Sequence, residues 1–278
     1  MAKAATIGGF ELISADRLLK WCAALWFVIA LVGQWTFGSY ITLVYGGSAL
    51  RGDFAAWRHT SLRGYAPGDT AGNLVFASHV LMAAIVVFSG ALQLVPQIRA
   101  RALNLHRWNG RLFLIAACAA SLGGLYLVWI RGVTTLLVSA LGISLDAGLI
   151  LTFAALALRS AWAHDVMAHR RWALRTLILA GGVWFQRLGY MAWVILNHGP
   201  VGMTDKLDGP FDIFVGFASF LLPLAALELY LRAQAGGARR KYAMAACLFA
   251  LTTLMGIGIA GAAAMMWGPP ITHALAAT

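Results

Sequence analysis

The feature that most constrains this chain is the recurrence, along nearly its whole length, of apolar runs of membrane-spanning length, about 20 residues each, with the charges confined to short stretches between them. Seven such runs stand at residues 18–46, 73–95, 109–130, 133–158, 173–197, 211–231 and 242–267. Pro96, Arg131-Gly132, Gly199-Pro200, Gly209-Pro210 and Gly236-Gly237 punctuate them as helix ends. The expected fold is all-α: a polytopic membrane helical bundle of about seven transmembrane helices, with residues 1–278 forming a single transmembrane domain. Composition agrees, being 61% hydrophobic and only 11% charged, where soluble domains carry roughly a quarter charged residues.

The net charge of +11 does not indicate nucleic acid, because Lys and Arg sit in loops rather than along one soluble face. A lipid bilayer explains them through the positive-inside rule. Fifteen of the 21 Lys and Arg residues fall on one side and five on the other, Arg51, Arg58, Arg63, Arg131 and Lys206. This bias predicts a cytoplasmic N-terminus and an external C-terminus. Glu11 and Asp16, with no compact apolar core before a small-residue site, argue against a cleavable signal peptide, so the first span is expected to act as its own targeting signal. Cys22, Cys118 and Cys247 each lie inside an apolar run without C-x-x-C spacing and are expected to be buried thiols. Trp129, Trp193, Trp267, Tyr126 and Tyr45 fall near span ends, where aromatic belts and packing account for them.

Two segments repeat one pattern. His106-Arg107-Trp108-Asn109-Gly110-Arg111 and His169-Arg170-Arg171-Trp172-Ala173-Leu174-Arg175 each set a histidine and a basic-aromatic cluster before an apolar run, and both end in Trp-x-x-Arg. The spans they open run in the same direction, which puts His106 and His169 at one level on the cytoplasmic face. His79, inside the second span, and His198, at the end of the fifth, lie toward the other face.

Histidines on facing helices at one depth are what heme b (b-type haem) requires, since two imidazoles approach the iron axially. An inner site would use His106 and His169 as metal ligands, with Arg107, Arg111, Arg171 and Arg175 as propionate partners. An outer one would use His79 and His198. This points to a haem-binding redox protein exchanging electrons with a quinone or a partner subunit. The same arginines satisfy the positive-inside rule without any ligand. Two other readings therefore stand beside it: a non-haem protein binding an anionic lipid, quinone or small substrate at the cytoplasmic Arg cluster, and an accessory subunit or assembly factor of a membrane complex.

Four more polar residues lie at membrane depth. Asp146 and Arg187 occupy successive antiparallel spans and are expected to pair, offsetting the cost of two buried charges. Gln93 and Glu228 fall at the level of the His-Arg clusters, where Glu228 is expected to neutralise one arginine. The sequence carries no Gly-rich phosphate loop, nucleophile elbow or His-Glu-x-x-His, so hydrolase chemistry finds no support.

With His79, Gly90-Ala91-Leu92-Gln93, the two His-Arg-Trp clusters, Arg187 and Glu228, the chain resembles a bacterial family of predicted membrane proteins, domain-of-unknown-function family 2306, over residues 73–231. The resemblance implies a polytopic bundle in the bacterial cytoplasmic (inner) membrane and brings no activity with it. More loosely, histidines at both faces resemble those of dihaem b-type transmembrane cytochromes, although here the inner pair is expected to precede its spans.

Overall fold

The computed structural model describes residues 6–7, 10–11, 14–59, 64–134 and 136–276. A two-residue antiparallel ladder pairs Thr6–Ile7 (β1) with Phe10–Glu11 (β2). All remaining regular structure among the described residues is helical. Helix α1 (Ala15–Tyr40) passes through a π-helical turn at Ile41–Gly46 into α2 (Gly47–Leu50), and a 3-10 turn at Phe54–His59 follows. Next come α3 (Thr70–Gln93), the short α4 (Pro96–Arg101), α5 (Leu103–Trp129) and α6 (Leu137–Trp162). The chain continues through α7 (Val166–Ala180), α8 (Gly182–Leu196), α9 (Pro210–Gln234) and α10 (Ala238–Ala262). A second π-helical turn at Ala263–Trp267 leads into α11 (Gly268–Ala276).

Among the described residues six helical stretches are long and apolar enough to cross a membrane: Ala15–Leu50, Thr70–Gln93, Leu103–Trp129, Leu137–Trp162, Pro210–Gln234 and Ala238–Ala276. The seventh expected span is broken. Gly181 divides it into α7 and α8, each of 15 residues, and each alone is short of the roughly 20 residues a bilayer requires. Two adjacent glycines weaken helix propagation. Moreover, Gly182 is pressed against α6, where a Cβ would come 2.9 Å from Asp146 Oδ2.

The helices form a closed circuit. α3 lies along α5, α5 along α6, and α6 along α7; α7 reaches α9, α8 packs on α9 and α10, α10 on α1, and α1 on α3. Close approach depends on glycine at several crossings. A Cβ on Gly258 would meet the Leu188 carbonyl oxygen at 2.6 Å, and one on Gly33 would meet Ile259 and Trp184 within 2.8 Å. The outward surface is apolar: Trp21, Leu25, Val28, Val32 and Trp35 form an exposed stripe on α1, stepped by four and three residues, as a lipid-facing helix requires. Cys22 is buried, whereas Cys118 is half-buried and Cys247 is exposed on this outer surface, so only one of three thiols lies in the core. Trp267 is fully buried and therefore packs in the core, not in an interfacial belt.

At the end opposite the His-Arg clusters, Arg131 ties the turn after α5 to the start of α3. Its Nε lies 3.0 Å from Asp69 Oδ2, Nη2 donates to Asn73 Oδ1 at 2.8 Å and Nη1 to the Gly72 carbonyl at 3.2 Å. Asp69 also caps α3, accepting from the Gly72 N–H. Three charge-assisted bonds from a largely buried guanidinium give Arg131→Ala an expected cost of about 2 kcal/mol. Equilibrium unfolding in mixed micelles measures it, and a loss below about 0.5 kcal/mol, the range of ordinary surface changes, is the contrary result.

Candidate functional site

The sequence echo is a structural echo. His106 and His169 each occupy the fourth position of their helices, α5 and α7, with their backbone N–H groups bonded to Ala102 O at 3.0 Å and Asp165 O at 2.9 Å. The helices start earlier than the apolar runs, so both histidines lie inside them rather than ahead of them. Asp165 sets the start of α7, its Oδ1 accepting from the Ala168 N–H at 2.9 Å, as an N-cap does. Three residues after each histidine-proximal tryptophan the arginine folds back over the indole. Arg111 Cζ lies 4.7 Å from the Trp108 ring centroid and Arg175 Cζ 4.5 Å from that of Trp172, because positions i and i+3 are neighbours on a helix.

The two imidazoles lie within electrostatic reach of each other, and Arg99 also faces His106. His169 Nδ1 is 2.9 Å from the Ala157 carbonyl oxygen on α6. A carbonyl only accepts, so Nδ1 carries a proton and, in the neutral ring, Nε2 keeps its lone pair. His106 Nδ1 is buried with no hydrogen-bond partner, an uncompensated polar atom of the kind that binding sites retain. Gln93 Nε2 donates to the His106 carbonyl at 3.2 Å, and Asn109 Nδ2 to the Ser89 carbonyl at 2.8 Å, which fixes α5 to α3 at this level. Arg107 and Arg171 are exposed and have no carboxylate partner among the described residues. Arg175 is engaged: its Nε and Nη2 donate to Glu228 Oε1 and Oε2 at 2.6 and 3.0 Å. Glu228 therefore does neutralise one arginine of the cluster, and that arginine already has its anion.

The other two histidines stand in different settings. His79 lies on α3 against α5, its Nδ1 2.9 Å from the Ala120 carbonyl, with Gly123 and Gly124 leaving room for the ring. His198 is exposed in the turn after α8, at a left-handed φ of 55°. α3 packs on α5 and α1, whereas α8 packs on α9 and α10. Among the described residues no group of three or more His, Cys, Asp and Glu gathers as a metal-ion site; two axial imidazoles are a smaller requirement.

The expected Asp146–Arg187 ion pair is not formed. Asp146 faces Gly182 and its Oδ1 is buried without a partner. Arg187 donates from Nη1 to the Val183 carbonyl at 3.0 Å and lies over the Phe37 ring at 5.1 Å. The reason is angular: five residues separate Gly182 from Arg187, a rotation of about 140° beyond one full turn of helix, so a residue that meets α6 at Gly182 leaves Arg187 turned toward α1. Sequence spacing placed both charges at one depth but not on one face.

A closed bundle with an apolar exterior, six membrane-length helices and charges gathered at the helix ends defines an integral, multi-pass membrane protein. Residues 76–207 match the family described as "Predicted membrane protein (DUF2306)", which shows the resemblance read from the motifs for α3 through the turn beyond α8. Glu228, α1, α9 and α10 lie outside the matched stretch. Comparison with curated proteins and with solved structures yields no match.

Proposed function

We propose that the chain holds one b-type haem at its basic face, between His106 and His169, and passes electrons between it and a quinone or a partner subunit. The observation that supports this reading is the matched placement of the two histidines, each at the fourth position of its helix, with His169 within electrostatic reach of His106. One has its tautomer fixed with Nε2 free and the other has a sealed ring nitrogen lacking a partner. Bound there, haem supplies reversible one-electron chemistry. The chain's own part is to orient His169 through Ala157, to hold α7 against α9 through Arg175 and Glu228, and to offer Arg107, Arg111 and Arg171 to the propionates. His79 and His198 are left out of this reading, because His198 is exposed in the turn after α8 whereas His79 lies within α3 against α5. In the same reading α7 and α8 cross as one discontinuous span, which makes seven crossings. The basic face is cytoplasmic, the C-terminus lies outside, and the membrane is the bacterial inner membrane, as the loop charges support.

Purified protein from cells supplied with haem precursor is expected to carry a Soret band and a pyridine haemochrome signal close to one per chain. His106→Ala and His169→Ala should each remove it, and His198→Ala should leave it in place. A colourless wild-type protein, or retention of haem by the doubly substituted chain, overturns the reading. The exposed, carboxylate-free Arg107 and Arg171 support a second one, capture of an anionic lipid headgroup at the same face. A colourless protein that retains anionic lipid, and releases it on replacement of these arginines, selects that reading instead.

A further inference from the structure

Among the described residues Arg187 has no carboxylate partner. Among the described residues Asp16, Asp69 and Glu228 are paired with Lys241, Arg131 and Arg175. Asp165 and Asp212 accept backbone N–H groups, and Asp146 faces Gly182. A guanidinium has five N–H donors, of which the structure satisfies one, on Val183 of its own helix. An uncompensated cation at membrane depth is expensive and, as a rule, functional.

Its surroundings add donors and no acceptor charge. Phe37 lies beneath the guanidinium, Tyr40 and Tyr45 are within electrostatic reach of it, and it is within reach of His79. Trp184 and Trp267 in the same aromatic cluster have buried indole N–H groups without partners, and Trp267 lies 5.3 Å from Phe37. The π-helical turn at Ile41–Gly46 sets Tyr40 and Tyr45 edge to face at 5.9 Å, and the second π-helical turn delivers Trp267 to the same cluster. Such turns concentrate at functional sites.

An apolar groove adjoins this cluster. Trp26, Phe27, Leu31, Gln34, Leu94 and Phe185 line a narrow groove between α1, α3 and the α7–α8 break, which encloses only about 20 Å³. Ala30, Gln34 and Phe37 fall on one face of α1, so the groove leads along that face toward Arg187.

We propose that Arg187 anchors a binding site within the bundle for a membrane-soluble amphiphile with one anionic head, a carboxylate or a phosphate, whose apolar tail lies in the groove beside α1. The anion supplies the acceptor that the guanidinium lacks, and the tail replaces lipid against Trp26, Phe27 and Phe185. The site does not depend on the haem reading, since it uses none of the same residues.

The test uses the full chain in a neutral detergent, probed with oleate, 1-oleoyl-lysophosphatidate and the uncharged oleyl alcohol, by native mass spectrometry and thermal shift. One equivalent of oleate, of lysophosphatidate or of both is expected to be retained and to raise Tm; the probe that wins identifies a fatty acid or a phospholipid source. Oleyl alcohol is expected to bind at least about tenfold more weakly, and Arg187→Met to weaken the anionic probe by a similar factor. Equal binding of oleyl alcohol, no binding of either anion, or full retention by Arg187→Met overturns the proposal. Where Arg187→Met does not fold, the anionic probe is measured on the chain carrying Arg107→Ala and Arg171→Ala, and its loss there overturns the proposal.

Discussion

Gly258→Ala is expected to destabilise the bundle by about 3 kcal/mol, the upper end of the cost of forcing atoms into a well-packed interior. The added methyl would sit 2.6 Å from the Leu188 carbonyl oxygen and 3.0 Å from its Cα. These are backbone atoms in the middle of α8, which cannot rotate away as a side-chain tip can, so α8 and α10 must separate. Gly256, two residues earlier, has nothing within 4 Å of a built Cβ, and Gly256→Ala is expected to stay within about 1 kcal/mol of the wild type. Unfolding titrations of both variants in mixed micelles give the comparison. Equal stability of the two would mean that the α8–α10 crossing is looser than its geometry.

Glu228→Ala is expected to cost about 2–3 kcal/mol. Removing one member of a buried ion pair leaves the other charge uncompensated, which costs about 3–5 kcal/mol when burial is complete. Here the side chains of Arg175 and Glu228 are 17% and 31% exposed, so solvent screening trims that figure. The pair is bidentate, with both carboxylate oxygens engaged, and it joins α7 to α9, so loss of either partner should loosen the same contact. A double-mutant cycle with Arg175→Ala is expected to return a coupling near 2 kcal/mol. Additive losses would mean that stacking on Trp172, rather than Glu228, holds the arginine.

The bundle was legible because its cause is local: a run of apolar residues long enough for the bilayer must be a helix to satisfy its backbone. The pairing of Glu228 with a cluster arginine was legible from depth alone, since a carboxylate at the level of several arginines finds one of them. Two things were not legible. Helix starts were placed where the apolar residues begin, yet α5 and α7 extend outward through His106 and His169, because long polar side chains on a first turn can reach water while the backbone remains helical. The partner of Arg187 was misplaced for a different reason. Depth is set by counting residues along a helix, but facing is set by accumulated rotation, and a break at Gly181 resets it. The two π-helical turns likewise carry no period that sequence reading detects, and they bring Tyr45 and Trp267 into the cluster around Arg187.

The packing of α1 on α10 has a consequence for biosynthesis. These two helices are the first and the last of the long spans, and Lys241 Nζ closes their starts together at 2.6 Å from Asp16 Oδ1. α1 therefore enters the membrane far ahead of its principal neighbour, which leaves the ribosome only after every other long span has been made. Until then the part of α1 around Leu19 and Cys22, which clusters with Met244, Ala245 and Leu248 of α10, lacks most of its neighbours. Closure of the ring is thus a late event in synthesis, and a chain stopped before Ala238 would be inserted but open along one side.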